Sequence, residues 1–505
     1  MGQIEKLIEE NPGKEETVIG GVPFNRLNVS RNIQNDLRRL LPIGIFIMLI
    51  FLYFCFKQLR GVLLPFFVVI MAILLSMGLI PILGWKISVI SLILPIFLIA
   101  VANDYGIHMI AKYQEDNVLG NIYSKEELAK RMFRSLGKPV LLTGITTMIG
   151  MLCLNGHIMI GAKQLSVLAS IGIVFALAAS LFFIPAVVSL LPKSKPVILP
   201  EGEGRKKPIL ERTLAFFSGI VSRKPKAVIA GSLIFSAIVS IGIFFITVDA
   251  DPIKYFAKDH PVAKATNLID ENLGGTFNFS VAVGGDIKEP RIMEKIDRLK
   301  AEIEKIPEVG NTSSIARVVR QMSRALNDQG EEWYDRIPDT RNAVAQYFEL
   351  YSMSGNPEDF EKMIDFPYEH ALISVRLNTA NTPKINRVIK QVNDMAGNDS
   401  DIKYVGGIAL IFTELARQVV NGQFLSLGMA VIAVAVLLMI LLRSVAAGLI
   451  SAIPMVLSLV ILFGLMGLLD IDLSVVTALL SSIIIGVGID YTIHFLVSDL
   501  RLRIT

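Results

Sequence analysis

The sequence predicts a polytopic α-helical membrane protein, internally duplicated, with an α+β domain outside the membrane. Three observations predict this. Nine apolar runs, most of them near the roughly 20 residues a bilayer-spanning helix needs, punctuate the chain. Those runs stop between residues 248 and 421, a length sufficient for a separate domain. The pattern Asp-Tyr-x-x-His occurs twice inside apolar runs, as Asp104, Tyr105 and His108 and as Asp490, Tyr491 and His494. The offset is 490 − 104 = 386 for all three residues.

Composition agrees with that class and excludes others. Of 505 residues, 52% are hydrophobic and 19% charged, against about 25% charged in a soluble chain. The net charge of +4 is small, and its positive residues cluster in loops, which reads as topology rather than nucleic-acid binding. Cys55 and Cys153 both lie in apolar runs and imply neither a disulfide nor a metal framework. Residues Met1–Ser30 are polar and lack the apolar segment of a signal peptide. There is no G-x-x-x-x-G-K-[ST] phosphate loop, zinc-ligand cluster or G-x-S-x-G elbow. Neither a cofactor, a bound metal nor enzyme activity is expected.

In chain order, residues 1–39 are polar and read as the tail of a first extracytoplasmic domain. Residues 40–191 form a first five-helix block, with spans near Leu40–Phe56, Val62–Leu83, Ser88–Ile110, Val140–Leu154 and Leu165–Leu191. Pro95 is expected to kink the third span ahead of Asp104. Ser124–Leu136 reads as a short interfacial helix, N-capped by Ser124 with Glu127 three residues on. Residues 192–226 read as an exposed, irregular cytoplasmic linker rich in Pro, Lys and Arg. A sixth span covers residues 227–246.

Within residues 248–421, Phe277–Val283 and Ala371–Leu377 read as strands. Arg291–Ile306, Thr312–Leu326 and Lys384–Met395 read as helices. Strand-helix-strand, twice over, predicts a split βαβ, ferredoxin-like domain. Residues 422–505 form a partial second block, with spans near Phe424–Leu442, Ala446–Leu468 and Ser474–Val497. Lys57, Arg60, the 112–138 loop, the 192–226 linker and Arg443 share one side, which the positive-inside rule makes cytoplasmic. Residues 248–421 are then extracytoplasmic and the protein is a multi-pass protein of the cell (inner) membrane.

The two acids carry the functional reading. An ionised carboxylate within the hydrocarbon is expensive, so a membrane acid is a functional hypothesis by default. Asp104 and Asp490 read as proton carriers, against a structural hydrogen bond between helices. Tyr105 and Tyr491 can each donate to the adjacent acid, against a packing role. Asn103, His108 and His494 are accessory candidates. Each His lies four residues past its Asp on the same helix face, and contact with the headgroup region is the plainer reading of it.

The duplication extends beyond the motif. Gly20-Gly21 matches Gly406-Gly407 and Ser88 matches Ser474 at the same offset of 386. Large internal repeats are a hallmark of secondary transporters. The repeat also predicts segments beyond this sequence. The counterpart of the span near Lys226 would start at 226 − 386 = −160, and that of Leu191 would end at 191 + 386 = 577.

The motifs Ala100–Tyr113 (AVANDYGIHMIAKY) and Gly486–Phe495 (GVGIDYTIHF), helped by Asp251–Gly275, resemble the resistance-nodulation-division (RND) superfamily, and within it the MMPL-type exporters. The resemblance covers nearly the whole chain. It implies that residues 248–421 are a porter domain and that residues 40–191 match the five-helix sterol-sensing-domain fold. It further implies proton-motive-force-driven export of hydrophobic or lipid-like molecules, with Asp104-Tyr105 and Asp490-Tyr491 carrying the protons. The chain departs from the repeat in having Ala102-Asn103 where the second copy has Gly488-Ile489.

The partners implied are protons, membrane lipids or a hydrophobic substrate, and a companion chain supplying the missing helices; a homo-oligomer is a separate expectation, and no nucleic acid is expected. The alternatives are a sterol-sensing-type lipid receptor or scaffold without transport, and a translocation accessory of the SecD/SecF kind.

Overall fold

The computed structural model describes residues 2–11, 13–14, 17–88, 90–118, 123–193, 209–354, 361–397, 399–482, 484, 486 and 488. The chain divides into two compact units, one of Met1–Arg31 with Val248–Arg417 and one of Asn32–Thr247 with Gln418–Thr505.

The helical elements to the end of the first block are α1 (Gly2–Glu10), α2 (Val22–Phe56), α3 (Leu59–Ile82), α4 (Ile93–Val118), α5 (Lys125–Leu152), α6 (Ile160–Ala178) and α7 (Ile184–Leu190). A π-helical stretch, Ala179–Phe183, joins α6 to α7 into one apolar rod. After it come α8 (Ile209–Arg223) and α9 (Pro225–Ser240). Among the described residues, eight helical segments are long and apolar enough to cross a membrane, in agreement with the polytopic fold read from sequence.

The block's core lies between α3, α4, α5 and α6. Val68, Ala72, Leu94, Leu98, Tyr105 and Ile173 are fully buried there. Elsewhere the helices present large apolar side chains outward, such as Phe46, Phe54 and Ile82, as expected of a surface solvated by lipid.

Three local expectations are corrected. Ser124 does cap a helix, its Oγ accepting the Glu127 N–H at 3.1 Å. That helix is not a separate interfacial segment, because α5 runs unbroken from Lys125 through Pro139 into the span. A proline removes one backbone bond, and packing on both sides holds the rod together. Pro95 does not kink a helix interior. It sits in the first turn of α4, just after the 3-10 turn Ile90–Leu92, where its missing N–H has no helical partner to lose. Residues 209–223 of the expected irregular linker form the amphipathic helix α8.

In the other unit come α10 (Pro261–Asn272), β1 (Phe277–Gly284), α11 (Pro290–Ile303), β2 (Val309–Ser313), α12 (Ile315–Leu326), α13 (Arg341–Ser354), β3 (His370–Leu377), α14 (Thr382–Ala396) and β4 (Ile402–Gly406). The sheet is antiparallel in the order β2-β3-β1-β4. That is the split βαβ, ferredoxin-like arrangement, with α12 and α13 inserted between β2 and β3.

Phe277, Phe279, Val281 and Val283 alternate inward on β1, opposite Leu377, Val375, Ile373 and Ala371 of β3. Ile292, Ile296 and Ile303 of α11 and Ile385, Val388 and Val392 of α14 join the same core. Thr312 and Ser313, expected to open a helix, lie in β2 instead, and α12 starts at Ile315 with Ser314 as its cap.

The chain then continues as α15 (Ile408–Leu442) and α16 (Val445–Leu468), and a further helix, α17, opens at residues 475–482. Leu479 of α17 is fully buried in the same core as Leu94 and Leu98 of α4.

Candidate functional site

The two acid-bearing segments begin alike. Before α4, the Ser88 N–H donates to Ser91 Oγ at 2.8 Å and the Ser91 N–H returns a bond to Ser88 Oγ at 3.2 Å. Before α17, the Ser474 N–H donates to Thr477 Oγ1 at 2.8 Å and the Thr477 N–H returns a bond to Ser474 Oγ at 3.4 Å. Both pairs are separated by 386 residues (474 − 88 and 477 − 91). Each is a reciprocal cap that satisfies two backbone donors at once, so the repeat holds at the level of hydrogen bonds.

Asp104 lies well inside α4, in a helical segment apolar enough to span a membrane. His108, one turn on, brings its Nε2 to 3.6 Å from Asp104 Oδ1, and both side chains are about one-third exposed (35% and 34%). That distance is too long for a hydrogen bond and suits an ion pair when the imidazole is protonated. His108 stands ten residues before the helix end at Val118, beside the acid rather than at a helix terminus.

Tyr105 faces elsewhere and is fully buried. The structure therefore places it in the core, with the carboxylate on a more open face. Asn103 is buried to 8% exposure, and its Oδ1 finds no hydrogen-bond partner among the described residues. Gly106 lets Pro65 of α3 press against this turn, since a Cβ there would lie 2.8 Å from Pro65 Cβ. Asp490, Tyr491 and His494 lie outside the described residues. The segment leading to them is held on α5, where a Cβ at Gly150 would come within 3.0 Å of Gly486 Cα.

Further along α4, buried Asp116 receives Lys112 at 3.1 Å and Arg131 of α5 at 3.3 Å. The Arg131 guanidinium also lies 4.3 Å from the Tyr123 ring centroid. A buried carboxylate with two cationic partners fixes the end of α4 against α5. Sequence reading missed this network because its members are 15 residues apart and belong to two helices.

It also missed His157, which follows the 3-10 turn Cys153–Gly156. The ring is 1% exposed. Its Nδ1 accepts the Met159 N–H at 3.1 Å, and burial pushes its pKa below the ordinary imidazole value. The Val419 carbonyl pulls in the opposite direction and Lys163 in the same one. Among the described residues no group of His, Cys, Asp and Glu is arranged to hold a metal ion.

The MMPL family profile matches residues 2–228 and 285–504, most of the chain. The chain belongs to the MMPL family. With eight helical segments among the described residues long and apolar enough to cross a membrane, the chain is a multi-pass membrane protein. A membrane protein of Methanocaldococcus jannaschii is 24% identical over 268 residues, covering 48% of this chain and 63% of that protein.

Among solved structures, the hedgehog release protein Disp from the water bear Hypsibius dujardini aligns with a TM-score of 0.61 at 12% identity. The alignment covers 92% of this chain and 61% of that one. SecDF, a translocon-associated membrane protein of Thermus thermophilus, aligns with a TM-score of 0.49 at 15% identity, covering 91% of this chain and 50% of that one. The chain thus spans less than two thirds of each. The likeness to Disp is one of fold.

Proposed function

We propose that this MMPL chain is the part of a proton-driven exporter that carries the protons, in an assembly that moves hydrophobic or lipid-like molecules. The observation supporting this reading is the Asp104–His108 pair inside a membrane-spanning helix, with both residue types recurring 386 positions on. Protonation of a carboxylate in the hydrocarbon removes the cost of its charge and changes the packing it prefers. Asp104 and Asp490 carry the protons. Tyr105 and Tyr491 shape the packing beside each acid, and Asn103, His108 and His494 tune it. The unit containing residues 248–417 lies outside the cytoplasm and handles the substrate, with a companion chain or second copy completing the assembly.

Flux of a fluorescent lipid analogue from proteoliposomes holding the complete assembly tests this. Flux should require an imposed proton gradient and stop when a protonophore collapses it. Flux indifferent to the gradient would contradict the reading, and binding without flux would favour a lipid receptor or scaffold.

A further inference from the structure

Gln423 of α15 is 1% exposed and lies in an apolar spanning helix. Its Nε2 donates to Ser481 Oγ at 2.6 Å and to Ser482 Oγ at 2.9 Å on α17. Both serines are buried, and Ser481 Oγ itself donates to the Ala478 carbonyl at 2.6 Å. The Gln423 Oε1 has no hydrogen-bond partner among the described residues. A buried amide oxygen left without a donor is costly, and proteins satisfy such groups with bound water.

The repeat argues that the fold does not need these polar groups. At the offset of 386, Gln423, Ser481 and Ser482 correspond to Leu37, Pro95 and Ile96 (423 − 386, 481 − 386 and 482 − 386). The matching Ser88–Ser91 and Ser474–Thr477 caps fix that register. The first copy holds its acid helix with apolar residues at all three positions. The polar trio is particular to the approach to Asp490, eight residues beyond Ser482. In the first copy the same interval, Ile96 to Asp104, is continuous helix.

His157, just past the 3-10 turn that follows α5, adjoins the trio. A Cβ on Gly422, the residue before Gln423, would lie 3.1 Å from the His157 ring. The His157 Nε2 has no hydrogen bond of good geometry among the described residues, although the Val419 carbonyl lies near enough to favour its protonated form. Of the charged groups, Lys163 of α6 acts on this ring. Between Gln418 and Leu442, α15 carries no Asp, Glu, Lys, Arg or His.

We propose that Gln423, Ser481 and Ser482, with His157 at the rim, form a water-binding site that delivers protons to Asp490 from the end of the bundle where α5 meets α6. The delivery step rests on reading Asp490 as a proton carrier, whereas hydration of the site does not.

The test is thiol labelling of the full chain in membranes, with Cys55 and Cys153 first replaced by Ala. The probe is 2-aminoethyl methanethiosulfonate, which attacks thiolates and so reports water at the thiol. Ser482→Cys and Ser481→Cys should label at least about tenfold faster than Ile484→Cys, which lies on the exposed apolar side of the same helix. Adding Gln423→Leu should slow both serine variants toward the Ile484→Cys rate. Equally slow labelling at all three positions would overturn the inference and leave the trio as hydrogen-bonded contacts between helices. Labelling requires no transport, so that failure leaves the carrier role of Asp490 to be decided by flux in Asp490→Asn.

Discussion

His108 Nε2 stands 3.6 Å from Asp104 Oδ1, one helical turn along α4, in a face of the helix about one-third open. A pair so exposed contributes at most about 1 kcal/mol to folding. His108→Gln should therefore leave detergent melting unchanged to within about 1 kcal/mol while altering how proton-driven flux depends on pH. A pH profile identical to wild type would remove His108 from the mechanism.

Glycines set how closely α9 and α16 approach. The 3-10 turn Ile241–Phe245 ends the α9 span, and a Cβ on Gly467 would overlap the Gly242 carbonyl there, as one on Gly242 would overlap Gly464. Gly467→Val should destabilise the protein by about 1–3 kcal/mol, the usual cost of overpacking. Gly231, also on α9, has open space around it, so Gly231→Ala should be neutral or slightly stabilising through helix propensity. Melting of the two variants in detergent checks both.

The spanning helices were legible because about 20 apolar residues have few other uses, and β1 and β3 because their faces alternate cleanly. The outer strands β2 and β4 were not. Val309–Ser313 buries Thr312 fully and little else, and Ile402–Gly406 has no fully buried residue, so neither leaves a periodic signal. The Asp104–His108 pair could be read from spacing alone, since i and i+4 share a helix face. Gln423 could not be paired with Ser481 and Ser482, 58 and 59 residues away, because no local rule connects them.

Asp251 offers a pH prediction outside the membrane. Burial raises its pKa to about 6, with Asp249 adding to the effect and the Ile253 N–H opposing it. The folded pKa exceeds the unfolded value, so the folded state holds this proton more tightly. The associated stability is fully present below about pH 4 and lost as pH rises through about 6. Asp251→Asn keeps an oxygen to accept the Ile253 N–H and removes the charge. It should raise thermal stability at pH 7–8, by at most about 3 kcal/mol, and change nothing at pH 4. An equal gain at both pH values would refute the cause assigned here.

Orientation is tested by two exposed positions in a background lacking Cys55 and Cys153. Asn311→Cys, on β2, should react with an impermeant thiol reagent applied outside intact cells, and Lys130→Cys, on α5, should not. The reverse pattern would contradict the assignment of the ferredoxin-like domain to the outside.

Proton-gradient-dependent flux in Asp490→Asn, measured in the complete assembly with expression and melting as controls, tests the central claim most directly. Asn keeps the size of Asp, avoids burying a charge and cannot carry a proton, so flux should vanish while the fold persists. Asp104→Asn should behave the same way, and the double variant should be no worse than either single one. Tyr491→Phe should be milder, since it keeps the ring and leaves the carrier itself in place. Near-normal flux in Asp490→Asn would contradict the account and reduce both acids to structural contacts between helices.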